Sequence, residues 1–190
     1  MGLSVVTILL LIIGVGGSFV QQSTTFLSNT FDNSTDDWAF YSIYIHTTWP
    51  YKSAEDKFSM QLDHFNGDPG PSIELTGSAI DYAGCASKSI DVSEVGYGRL
   101  KLSFDFESTS PSTNATFPTV LLIRDEDGSI LFKENVVNFK AGWNHYQGDL
   151  TTAVANMNTV RIAICMQDSD AHNISKSIWF DNIKLQSEFV

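Results

Sequence analysis

From Phe26 onward the chain runs in short segments whose apolar residues recur every second position, divided by clusters of Gly, Pro, Asn, Asp and Ser. The clearest is Arg99 to Glu107, where Leu100, Leu102, Phe104 and Phe106 alternate with Arg99, Lys101, Ser103, Asp105 and Glu107. Such alternation predicts an antiparallel strand with one buried and one wet face. Val160, Ile162, Ile164 and Met166 alternate with Arg161, Ala163, Cys165 and Gln167 in the same way. Thr119 to Arg124 and Ile130 to Val137 flank Glu126-Asp127-Gly128-Ser129, a hairpin whose Asp-Gly pair suits a type I′ turn. Further strands are expected over Trp38–His46, Phe58–Leu62, Ser72–Leu75, Lys88–Val92 and Trp143–Gln147, and a turn or two of helix over Thr151–Met157. About ten short strands and no long helical pattern predict an all-β fold: a two-sheet antiparallel β-sandwich, a jelly roll.

The last apolar segment, Ser177 to Leu185, carries Asp181-Asn182 in its middle. A period of two puts Trp179, Asp181, Ile183 and Leu185 on one face. If that face is core, Asp181 needs a cation, a metal or several hydrogen-bond donors once it loses water.

The first 20 residues hold no charged side chain, and Leu3 to Val20 is an almost continuous apolar run. Residues 1–20 therefore read as a cleaved signal peptide, a membrane anchor or the exposed helix of a filament subunit. Residues 21–24 read as a polar linker and 25–190 as the sandwich domain. Each reading exports the domain, to the cell surface or the medium, with contact to membrane only through the N-terminal segment. A formal net charge of −11 argues against a nucleic-acid partner, which would demand a basic patch.

The two cysteines, Cys85 and Cys165, are even in number, which permits one bridge in an exported protein; two separate buried thiols are the alternative. Neither has a CxxC spacing, so zinc and redox chemistry have no support. Three sequons begin at Asn33, Asn114 and Asn173 and mark candidate glycosylation loops.

Several motifs, in order, resemble those of jelly-roll carbohydrate-binding modules. Thr25-Phe26-Leu27-Ser28-Asn29-Thr30-Phe31-Asp32 is similar to their opening Leu-x-Asn-Pro-Gly-Phe-Glu strand, with Thr30 in place of Pro-Gly. Asp36-Asp37-Trp38 stands where they carry Gly-Trp, and Ile73-Glu74-Leu75-Thr76-Gly77 resembles their Ser-Leu-x-Val-x-Gly strand. Ala141-Gly142-Trp143, then Asp149-Leu150-Thr151, and finally Phe180-Asp181-Asn182-Ile183 complete the set, with Asn182 replacing a second Asp. The resemblance is to families four, nine and twenty-two of the galactose-binding-like group. It implies a non-catalytic module that binds a glycan or cell-surface polysaccharide. It also implies a structural calcium held by Asp32 and Asp181, with Asn29 and Asn182 nearby, since calcium takes six to eight oxygen ligands.

Sugar binding without catalysis relies on exposed aromatic faces and polar side chains. Trp38 and Trp143 read as core, whereas Trp49, Tyr51 and Tyr44 form a candidate aromatic platform. Arg161 and Gln167 alternate away from the apolar face of their strand and are candidates for polar contacts on the concave sheet. No catalytic set emerges. Asp125-Glu126-Asp127 reads as a solvated turn, and no opposed carboxylate pair is nominated for glycoside hydrolysis. His46, His64, His145 and His172 show no metal-binding spacing. From another functional class, a structural surface, envelope or filament subunit would use the jelly roll for self-association or for contact with an envelope protein.

Overall fold

The computed structural model describes residues 23–32, 34–44, 57–67, 70–78, 82–94, 99–109, 116–154, 157–168 and 176–188. The apolar leader and the aromatic loop with Trp49 and Tyr51 lie outside these residues, as do the sequon residues Asn33, Asn114 and Asn173.

Among the described residues, eleven strands build two antiparallel sheets, a β-sandwich of jelly-roll type. They are β1 (Ser23–Asn29), β2 (Ala39–Tyr44), β3 (Phe58–Asp63), β4 (Ser72–Gly77), β5 (Tyr82–Asp91) and β6 (Arg99–Ser108). Then follow β7 (Thr116–Arg124), β8 (Ile130–Asn135), β9 (Asn144–Asp149), β10 (Thr159–Asp168) and β11 (Lys176–Glu188). One sheet runs β3-β4-β11-β6-β9 with β1 also paired to β11; the other runs β2-β5-β10-β7-β8. A 3₁₀ turn, Thr151–Ala153, stands where a helical turn is expected.

The alternating faces of β6 and β10 meet in the core: Leu100, Leu102, Phe104 and Phe106 from one sheet, Val160, Ile162, Ile164 and Met166 from the other, all essentially inaccessible. Phe104 anchors this layer, stacked on Tyr146 at 4.7 Å between ring centres and edge-on to Phe180 at 5.7 Å. Burying these three aromatic rings contributes several kcal/mol, so truncating Phe104 to Ala is a cavity mutation of about 3–5 kcal/mol.

Three elements depart from the alternation rule. First, β1 opens at Ser23, inside the stretch read as a linker, because Ser23 and Thr24 pair with Glu188 and Ser187 of the last strand. Second, β5 begins at Tyr82, six residues before the expected strand. Its first half, Ala83-Gly84-Cys85-Ala86-Ser87, is small and apolar on both faces and so shows no period. Gly84 is needed there, since a Cβ would stand 2.8 Å from the Phe58 side chain.

The third departure is in β11. Its register against β6 slips between Asp181 and Lys184, and Asn182 takes a left-handed backbone with φ 51°. Three residues of β11 span two of β6, the signature of a β-bulge. The extra residue inverts the phase. Ile178 and Phe180 face the core before the bulge, and Ile183 and Leu185 after it. Trp179 therefore does not share the face of Ile183 and Leu185; it lies half-buried on the outer side, and its indole N–H donates to Asp63 at 2.9 Å.

Candidate functional site

The two outer faces of the sandwich differ. That of the five-stranded sheet carries a second apolar cluster of Ile43, Ala83, Cys85, Leu121, Ile123, Ala163 and Cys165, with Tyr41 and Ile130 against it. At its centre Cys85 and Cys165, directly paired across β5 and β10, are joined as a disulfide. Both are buried although they face away from the main core.

At the hairpin end of this face the cluster opens into a cleft of about 330 Å³, lined chiefly by Tyr41, Ile123, Arg124, Asp125, Glu126 and Arg161. The outward position of Arg161 on β10 brings its guanidinium over the Tyr41 ring, 5.6 Å from the centre, a cation–π distance. Its Nε and Nη2 donate to one oxygen of Asp125 at 2.9 and 2.8 Å, and the other oxygen accepts from the Ser89 hydroxyl at 2.6 Å. Burial pushes the Asp125 carboxyl up, but Ser89, Arg161 and the guanidinium charge outweigh it and hold Asp125 below the usual carboxylate range. The β7–β8 connection that carries Asp125 is longer than a two-residue turn. The Arg124 amide donates to the Ser129 carbonyl, and Gly128, at φ 72°, supplies the left-handed position. This five-residue connection is what lifts Asp125 over β10.

Of the residues expected to contact a ligand, Arg161 lines this cleft. Gln167 lies on the same face but six residues along β10, about 20 Å away, where its side-chain oxygen accepts from Thr119. Arg161 and Gln167 are thus not brought together. Tyr44 ends β2, and its side chain lies outside the described residues, as do Trp49 and Tyr51. Sequence reasoning missed Tyr41 and Asp125; the available signal was a lone arginine on an apolar strand face, which demands a carboxylate.

The residues expected to hold calcium lie near the bulge of β11. There the last strand changes its edge partner: it pairs with β4 as far as Phe180 and with β1 from Ile183. Asp181 sits in that switch, wholly buried, accepting the Asn182 amide at 2.7 Å, while the Asn182 side chain donates to Asp105 at 2.8 Å. Asn29 spends its amide on Asp36 and on the Trp38 indole. Asp32 is exposed and accepts from Thr30. Among the described residues, no group of three or more His, Cys, Asp or Glu gathers to hold a metal ion.

No protein-family model and no curated protein matches the sequence. Solved structures do resemble the fold. A family 61 carbohydrate-binding module, in complex with β-1,4-galactotriose, is 9% identical over 85% of this chain and 97% of its own, with a TM-score of 0.55. The xylan-binding family 22 domain from Paenibacillus barcinonensis is 14% identical over 88% and 97%, with a TM-score of 0.52. A Stig cyclase from Fischerella sp., in complex with a pyrrolidinylidene indole, is 10% identical over 87% and 98%, with a TM-score of 0.59. At these identities the likeness establishes the jelly-roll fold, and the same fold serves both binding modules and an enzyme.

Proposed function

We propose that this domain binds glycan, without catalysis, in the cleft at the hairpin end of the five-stranded sheet. One observation carries the reading: the Arg161–Asp125 ion pair stands beside the Tyr41 ring, at the hairpin end of the apolar cluster. A sugar presents a C–H face that is apolar and a rim of hydroxyls that both donate and accept. The half-buried Tyr41 ring suits the former; the outer N–H groups of Arg161, with Arg124 and Glu126, suit the latter. Arg161 is held by Asp125 and by Tyr41 before any ligand arrives, so little side-chain entropy is lost on binding. The jelly-roll likeness to modules solved with or named for β-1,4-galactotriose and xylan supports the same reading. Export to the medium or cell surface accords with the apolar leader.

The test is a titration of the folded domain with galacto- and xylo-oligosaccharides, followed by amide chemical shifts. Shifts clustered at Tyr41, Asp125 and Arg161 are expected, and Arg161→Ala should weaken binding by roughly tenfold or more. Absence of shifts with every neutral oligosaccharide of a broad glycan panel, on a folded sample, overturns the proposal.

A further inference from the structure

The outer face of the six-stranded sheet carries a row of side chains that the cleft does not involve. The register sets Gln61 beside Glu74, Glu74 beside Trp179, and Trp179 beside Glu107, across β3, β4, β11 and β6. All four point outward, because Leu75, Phe106 and Phe180, one residue away on their strands, fill the core. The β6–β9 ladder ends at the Phe106–Asn144 pair, and Trp143 immediately precedes it, at the same end of the sheet as Glu107. Trp143 has the outward parity of His145 and is only half-buried, not a core residue as its sequence pattern suggests. The row then reads Gln61, Glu74, Trp179, Glu107, Trp143: two indoles two strands apart, about 9.6 Å, with a carboxylate between them.

The indole of Trp179 is fixed. Its N–H donates to Asp63, whose carboxylate also accepts the amides of Phe65 and Asn66 and the Asn66 side chain. Those same bonds hold up the loop bearing Phe65, which is 95% exposed beside the row. No lysine or arginine belongs to the row. In the next row Asp105 faces His145, whose Nδ1 lies 2.6 Å from the carboxylate.

We infer that this row is a second binding surface, for a glycan that bears protonated amines. The two indoles offer faces for successive pyranose rings, and Glu107 and Glu74 sit where an ammonium beside an indole gains both charge pairing and cation–π attraction. Glu74 already accepts from Gln61 and Thr76, so a neutral sugar would have to strip water from Glu107 without a compensating charge. The net charge of −11 disfavours anionic polysaccharides at either face. The inference borrows from the proposed function only the ligand class; its residues lie on the opposite sheet.

The probes are pentamers of β-1,4-linked glucosamine, fully deacetylated or fully N-acetylated, titrated into the domain at low salt with tryptophan fluorescence as readout. The deacetylated pentamer should bind and perturb the indole signal. Trp179→Ala and Trp143→Ala should each weaken it about tenfold, and Glu107→Gln about threefold with a flatter salt dependence. Glu107→Gln is an outward, conservative change that keeps the test open if a tryptophan variant fails to fold. Arg161→Ala should leave this isotherm unaltered, so the loss of neutral-sugar binding at the cleft is separable from the loss of this site. No binding of the deacetylated pentamer overturns the inference; so does equal binding of the acetylated one, or parental affinity in folded Trp179→Ala.

Discussion

The two sheets of the sandwich share one core but present opposite exteriors. On the five-stranded sheet the centre of the exterior is small and apolar, closed by a disulfide, with Arg161 and Asp125 at the hairpin end and Gln167 and Thr119 toward the other. On the six-stranded sheet the outward positions are hydrogen-bonding or charged throughout, and the apolar surface comes as isolated tryptophans. The difference teaches that a period of two specifies which residues face outward and leaves open what that outside is for. An apolar exterior face with a paired arginine at its mouth is a cleft, whereas a polar one with fixed indoles is a platform.

The contrast breaks most severely at Cys85–Cys165. The bridge closes 80 residues of chain, and chain entropy alone gives it at most about 4–5 kcal/mol. Replacing both cysteines by serine also sets hydroxyls among Ala83, Ala163 and Leu121. We expect a large fall in Tm, ten degrees or more, with loss of ligand shifts at Tyr41 and retention of the fluorescence response of Trp179 in whatever fraction stays folded. An equal loss at both faces would mean that the exteriors are not independent. Thermal melts with and without reductant, read beside the two titrations, decide it.

A smaller effect separates the faces by the origin of their charge stabilisation. Asp125 is held down by a hydroxyl and by the Arg161 guanidinium. For Asp63, burial raises the pKa, but the amides of Phe65 and Asn66, the Asn66 side chain and the Trp179 indole outweigh it and hold the pKa low. Both folded pKa values are depressed, so the unfolded chain binds protons first as pH falls. The stability from each is complete above about pH 4.5 and is lost on acidification through the folded value, below about pH 3.8. Asp125→Asn and Asp63→Asn should each cost on the order of 1 kcal/mol near pH 7, and both deficits should shrink as the pH falls through the folded values, below about 3.8. Salt discriminates them. Added salt should shrink the Asp125→Asn deficit, which includes an ion pair, and leave that of Asp63→Asn unaltered. Identical salt responses would refute the assignment.

Much of this was legible in the sequence where alternation was strong. β6 and β10 follow directly from their apolar period, and with them the sandwich and the outward position of Arg161; β7, buried on both faces, follows from its continuous apolar run beside the hairpin. The rest failed for definite reasons. The first half of β5 is Ala, Gly, Cys and Ser, whose small side chains carry no amphipathic signal. The phase of β11 was lost because a strict period of two was carried across Asp181-Asn182, whereas Asn182 adopts a left-handed backbone that adds a residue. Asparagine is among the few residues that tolerate this conformation, so Asp-Asn inside a strand is itself a bulge signal. That single slip hid Trp179, and the platform with it. Asp125 escaped because its partner is 36 residues away in sequence, and a run of three acidic residues reads as a solvated turn.

The smallest expected effect concerns the bulge that separates the two halves of β11. Asp181 is wholly buried, and a buried carboxylate without donors or a cation would cost several kcal/mol. The protein supplies at least one donor from the Asn182 amide, and the neighbouring Asp105 is satisfied by Asn182 and His145. Asn29, which a calcium ion would need as an oxygen ligand, is committed to Asp36 and Trp38. We therefore expect chelation with EDTA to shift Tm by less than about 1 °C, while Asp181→Asn, which buries an amide donor where a carboxylate accepts the Asn182 amide, lowers it by several degrees with or without chelator. A calcium clasp between the first and last strands makes the reverse prediction. EDTA would then lower the Tm of the parent protein by several degrees, and the cost of Asp181→Asn would disappear in its presence. The double comparison isolates the ion, because a carboxylate held by protein donors responds to the mutation alone.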